Sequence, residues 1–169
     1  MKLRNSDMLK ETITVNISDA RVSDDPAHVL ATYSLGSCIG VCLYSRKMGA
    51  GGLLHYLLPD STANPQKAKE NPFVYADTGM KTLLEKLTSM GIRKNQLSVK
   101  VAGGAQRLKV KAKGFNIGKR NYLAIRKILW KQGMFIDAED VGGFSPRTLY
   151  MSVIDGAVTI RSGGLKKYL

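Results

Sequence analysis

Apolar residues recur along this chain at two periods, and the switches between them mark its elements. Thr12-Ile13-Thr14-Val15-Asn16-Ile17 alternates polar and apolar, the period of a strand with one buried face. Asp24-Asp25-Pro26 marks a turn, and Val29–Tyr33 reads as a second strand. Leu35-Gly36-Ser37-Cys38 is a run of small residues suited to a tight turn. Ile39–Tyr44 and Gly52–Leu58 are nearly continuous apolar runs. Gly40 and the β-branched residues oppose a helix there, so both read as buried strands. The glycine-rich stretch Ser45–Gly52 joins them, which predicts a hairpin. Residues 60–72 are polar and proline-punctuated and predict a surface loop.

The period then changes. Met80, Leu83, Leu84, Leu87 and Met90 form one helical stripe, with Asp77 placed to cap its start and Gly91 its end. Leu97, Val99 and Val101 alternate as a strand that stops at Gly103-Gly104. Gln106–Gly114 is basic. A second helix is predicted from Gly118 to Lys131, with Asn116 as its cap, the stripe Ala124, Ile125, Ile128 and Leu129, and Gly133 as its stop. Phe135–Val141 reads as a strand. Thr148–Ile154 and Ala157–Arg161 flank Asp155-Gly156, a hairpin turn. Two helices and about eight strands make a single α+β domain with helices packed on sheet. We set its limits at 12–163, between a flexible N-terminus, 1–11, and a basic C-terminal tail, 164–169.

Composition narrows the possible functions. A chain of 169 residues suits one domain and can bury roughly 70% of its unfolded surface without staples. No apolar run approaches the roughly 20 residues that span a bilayer. Met1–Asp7 leads into a polar segment rather than a signal core, so the expected location is the cytoplasm, with no membrane insertion. Cys38 and Cys42 are too few and too close for a disulfide framework. Two histidines and no second cysteine pair leave a zinc site without ligands, and no cofactor motif is present. The net charge of +13 implies an acidic partner. Its basic residues concentrate at Arg107–Lys113, Lys119–Lys131 and Lys166-Lys167.

The candidate chemistry is a thiol and an imidazole. Cys38 opens one strand of the predicted hairpin, and His55 lies in the other, 17 residues later. A turn near Lys47 or Met48 sets Cys38 across from Tyr56–Leu58, with His55 one to three residues off register. Whether the two share a face depends on that register, because one residue of slip reverses it. A cysteine thiol has a pKa of about 8.5 and needs a base to attack at neutral pH. A neighbouring imidazole can take the proton and stabilise the thiolate as an ion pair, so the sulfur of Cys38 is expected to be exposed in a cleft and ionised. Gly36 permits a sharp turn and close substrate approach, and backbone N–H groups of Gly36, Ser37 and Ile39 could receive an oxyanion. Cys42, between Val41 and Leu43, reads as a buried small hydrophobe. His28, beside Pro26 and Ala27, reads as a surface loop residue.

Ala31–Tyr44 resembles the active-site segment of the CheD family of chemoreceptor glutamine deamidases, and Gly51–Pro59 resembles that family's histidine segment. Tyr75-Ala76-Asp77, Lys100–Ala105, Ile117–Asn121 and Glu139–Gly143 follow in the family's order. The resemblance implies an α/β sandwich of mostly antiparallel sheets. It implies a catalytic Cys-His-Thr triad carried by Cys38, His55 and Thr32, with the Thr32 hydroxyl orienting the imidazole. The implied substrate is a glutamine on the cytoplasmic helical region of methyl-accepting chemotaxis receptors, converted to glutamate through a thioester without metal or cofactor. The implied partner is a CheC-type phosphatase. Two stretches depart from the family pattern: the basic run Arg107–Lys113, and Phe144-Ser145-Pro146-Arg147 in place of a more glycine-like turn.

Two other readings compete. The chain could serve mainly as a non-catalytic regulator bound to the CheC phosphatase. Its charge would also suit nucleic acid, but no aromatic-rich RNP-type strand, zinc motif or helix-turn-helix pattern accompanies it, so no nucleic acid is expected. A monomer is the default expectation.

Overall fold

Ten strands and three helices account for most of the chain in the computed structural model, which describes residues 9–106 and 116–169. The strands are β1 (Glu11–Thr14), β2 (Asp19–Ser23), β3 (His28–Leu35), β4 (Ile39–Ser45), β5 (Ala50–Tyr56), β6 (Ser98–Gly103), β7 (Ala138–Val141), β8 (Arg147–Ser152), β9 (Val158–Ser162) and β10 (Leu165–Tyr168). The helices are α1 (Pro65–Glu70), α2 (Ala76–Ser89) and α3 (Ile117–Lys131).

The strands divide between two mixed five-stranded sheets, ordered β1-β3-β8-β9-β10 and β2-β5-β4-β6-β7. Only β1 with β3 and β6 with β7 pair in parallel; the other neighbours are antiparallel. The layers explain the burial patterns. In β8, buried and half-buried residues alternate, as a sheet with one covered face requires. In β4 and β5 every residue is buried, because the second sheet is covered on both faces. Leu54, Tyr56, Val41 and Leu43 pack on α2 and α3 through Met80, Leu83, Ile125 and Leu129. Leu53, Cys42 and Ala102 face the first sheet and meet Leu30, Leu149 and Met151. The α/β sandwich expected from the sequence is the fold observed.

Several local expectations are corrected. The first alternating segment divides: β1 ends at Thr14, Ser18 turns the chain at φ 56°, and β2 follows. The 60–72 loop holds a 3₁₀ turn at Ser61–Ala63 and the short helix α1, capped by Asn64. Asp77 does not cap α2. It sits inside the first turn and accepts hydrogen bonds from the N–H and hydroxyl of Ser61. Only the end of Phe135–Val141 is a strand, and Phe135 is exposed. His28 belongs to β3, where its Nδ1 lies 2.8 Å from the Ser23 hydroxyl. The segment set apart as a C-terminal tail contains β10, paired with β9. The cap at Asn116 and the stop at Gly133 (φ 69°) hold for α3. Residues 1–8 of the expected flexible N-terminus and the basic run Arg107–Lys113 lie outside the described residues.

Candidate active site

Hairpin register decides whether Cys38 and His55 can meet. In the β4–β5 ladder, Ile39 opposes Tyr56 and Gly40 opposes His55. Residues directly opposed in an antiparallel pair share a face, and so do residues two apart on one strand. Cys38 stands two residues before Gly40, so it shares a face with His55 and is diagonal to it. That face looks toward the first sheet. Gly40 leaves the space opposite the imidazole thin: a Cβ there would press on Leu35 at 3.1 Å and Leu149 at 3.3 Å.

The first sheet supplies the third residue. Thr32 lies on β3, fully buried, and its hydroxyl oxygen is 2.7 Å from His55 Nδ1 and 2.7 Å from the Val15 carbonyl. A hydroxyl carries one proton, and a carbonyl can only accept. Thr32 therefore donates to Val15, and His55 Nδ1–H donates to Thr32. This assigns the tautomer of the neutral ring, with the lone pair on Nε2. His55 Nε2 is buried and has no hydrogen-bond partner among the described residues. Thr32 thus fixes the ring and leaves one basic nitrogen unspent.

The electrostatics differ from a resting ion pair. The ring of His55 is sealed from solvent, and desolvation pushes its pKa down to about 4. Cys38 is also buried, at 7% exposure, and desolvation raises its thiol above the ordinary value; its own backbone N–H opposes that shift. The exposed, ionised sulfur expected from the sequence is replaced by a buried thiol, and no hydrogen bond joins it to the imidazole. Of Thr32, Cys38 and His55, only Cys38 keeps any solvent contact. Cys42 is fully buried and its thiol is pushed up to about 12, which makes it a core residue.

The turn before Cys38 places its strain at Ser34, not Gly36. Ser34 holds φ 55°, next to the irregularity between Thr32 and Leu35 in the β3–β8 register. Gly36 has an ordinary φ, and a Cβ there would meet nothing within 4 Å, so this side of Cys38 is open. Its N–H donates to Ser34 O at 2.8 Å and is spent. The carbonyl of Cys38 accepts from Gly104 N at 2.8 Å on the β6 side. Alternation along a strand then turns Ile39 toward Tyr56 in β5, which commits its N–H to the ladder. Of the amides expected to receive an oxyanion, Gly36 and Ile39 are therefore unsuitable. Neither Ser37 N–H nor Cys38 N–H donates to a backbone carbonyl among the described residues.

Two site residues escaped the sequence reading. The Val15 carbonyl carries no side-chain signature. Asn121 does: it sits on the buried stripe of α3 with Gly118, Ile125 and Leu129, where a polar residue is out of place. Its side chain donates to Ser37 O and Leu57 O, on either side of the candidate pair.

A family model described as CheD chemotactic sensory transduction matches residues 57–162. A Solibacter usitatus protein named "Probable chemoreceptor glutamine deamidase CheD" is 46% identical over 159 residues, 94% of each chain. One from Syntrophus aciditrophicus named "Probable chemoreceptor glutamine deamidase CheD 1" is 43% identical over 152 residues, 90% of this chain and 94% of its own. Among solved structures, the Neisseria meningitidis protein NMB0706 shows a TM-score of 0.45 at 11% identity, over 79% of this chain and 63% of its own, a likeness that carries no argument. The family-model match begins at Leu57, past Thr32, Cys38 and His55.

Proposed function

The chain belongs to the CheD family, and from that membership we propose that it deamidates glutamine side chains of chemoreceptors through a covalent bond to Cys38. The observation that carries the mechanism is the free Nε2 of a ring whose Nδ1 is tied to Thr32.

The resting pair is neutral, so proton transfer accompanies attack. Nε2 of His55 takes the thiol proton as sulfur bonds to the carboxamide carbon, and the C=O electrons move onto oxygen. The Cys38 and Ser37 amides, neither spent on a carbonyl, receive that oxyanion. Collapse expels nitrogen, which takes the Nε2 proton and leaves as ammonia. A thioester remains. Water then attacks it, His55 accepts the water proton, and the sulfur departs and regains a proton, releasing glutamate. Thr32 holds Nδ1–H throughout and stabilises the imidazolium between the two transfers.

The substrate region we favour is the cytoplasmic helical bundle of methyl-accepting receptors. A protein of net charge +13 is drawn to an acidic surface, and such attraction weakens with salt. Deamidation adds about one dalton to the modified glutamine. Mass spectrometry of a receptor fragment incubated with this protein tests the reading, with ammonia release as a second measure. Cys38→Ala must abolish both. Ammonia release that survives the substitution overturns the assignment. Binding of a CheC-type phosphatase with no ammonia release from any receptor fragment would favour the regulatory reading.

A further inference from the structure

We propose that Asn121 is a positioning residue that aims the oxyanion-binding amide of Cys38 by holding the Ser37 carbonyl. This rests on the covalent mechanism above.

Asn121 is fully buried on α3. Its Nδ2 donates to Ser37 O at 2.8 Å and to Leu57 O at 2.9 Å, and its backbone carbonyl accepts from the Tyr56 hydroxyl at 2.6 Å. Both side-chain acceptors are carbonyls, so the amide nitrogen must face them, and both of its hydrogens are used. Asn121 Oδ1 is left buried with no partner among the described residues. Burying such an orphan is unfavourable. An apolar residue on this stripe would avoid the cost, as Ile125 and Leu129 do one and two turns later. The cost is tolerated for what the two donors do.

What they do follows from peptide planarity. Ser37 C=O and Cys38 N–H are the two ends of one trans peptide and point in opposite directions. Holding the carbonyl toward α3 turns the Cys38 N–H away from the helix and polarises it as a donor. The second bond grips Leu57, which continues the β5 register to a position across from Cys38. One side chain thus ties the residue before the nucleophile to the strand that carries the base.

Two rates measured on Asn121→Ala test this. Deamidation of a receptor fragment passes through an oxyanion. Alkylation of Cys38 by iodoacetamide displaces iodide at a tetrahedral carbon and forms none. We expect kcat to fall about 10- to 100-fold, with KM within about threefold and the Cys38 alkylation rate within about twofold of the parent protein. An unchanged kcat overturns the proposal. So does a parallel fall in both rates, which marks a purely structural role. If the alanine protein does not fold, the same ratio is read on Asn121→Ser. Cys38→Ala in the same assay separates the two levels: retained deamidation there sinks the covalent mechanism, whereas its loss beside an unaffected Asn121 variant sinks only this proposal.

Discussion

The hydroxyl of Thr32 accepts a hydrogen bond from Nδ1–H of His55 across the gap between the two sheets, at 2.7 Å. A threonine stands where many hydrolases place a carboxylate, and it can act there because the Val15 carbonyl takes its single proton. Thr32→Val removes the acceptor and orphans both neighbours, whereas Thr32→Ser keeps the oxygen. The valine protein is expected to lose about 10²-fold in kcat/KM, the serine protein only a few-fold. Equal losses from both, in steady-state deamidation assays, would refute a role specific to the hydroxyl.

The pH profile follows from burial. Nε2 must be unprotonated to act, and its pKa is about 4. As pH falls, kcat/KM should hold through 6.5 and drop only near 4. A limb at the ordinary imidazole value would mean that the ring is hydrated in the working enzyme.

Stability responds to the same group. The folded pKa of His55 lies below the unfolded value of 6.5, so the unfolded chain binds the extra proton. The contribution of the neutral ring is complete above 6.5, is lost as pH falls toward 4, and changes no further below. The loss is about 3 kcal/mol. Urea midpoints between pH 7 and 4 should show this slope in the parent protein and a shallower one in His55→Gln.

The two thiols should behave oppositely. Cys42 is fully buried with a pKa pushed up to about 12, while Cys38 keeps a small exposed area. Peptide mapping after brief iodoacetamide treatment should find the label on Cys38 alone. Cys42→Ala should cost about 1 kcal/mol of stability and leave kcat within about twofold. Labelling of Cys42 in the folded protein would contradict this core.

Gly103 is a backbone requirement of the site. It holds φ 114°, and a Cβ there would overlap the Cys38 carbonyl. Gly103→Ala should cost about 1–3 kcal/mol from backbone strain alone. It should also slow deamidation more than it slows alkylation of an exposed cysteine introduced elsewhere, because the clash falls on the Cys38 peptide. Unchanged thermal unfolding and kcat would refute the close approach.

Much of this was legible in the chain because it depends on local order. The apolar runs at 39–44 and 52–58 announced buried strands, the Met80–Met90 stripe a helix, and Asn116 and Gly133 the ends of another. The ordered motifs pointed to the family, and with it to Cys38, His55 and Thr32. What required the tertiary structure was every relation between segments that do not touch in sequence. Register had to put His55 opposite Gly40 before it could share a face with Cys38. A second sheet had to bring Thr32 and the Val15 carbonyl against the ring. Burial, which turns an expected ion pair into a neutral thiol and imidazole, belongs to the packed layers and not to any residue. Side-chain type travels with the sequence, whereas desolvation and the direction of a hydrogen bond exist only once distant strands have closed around the group.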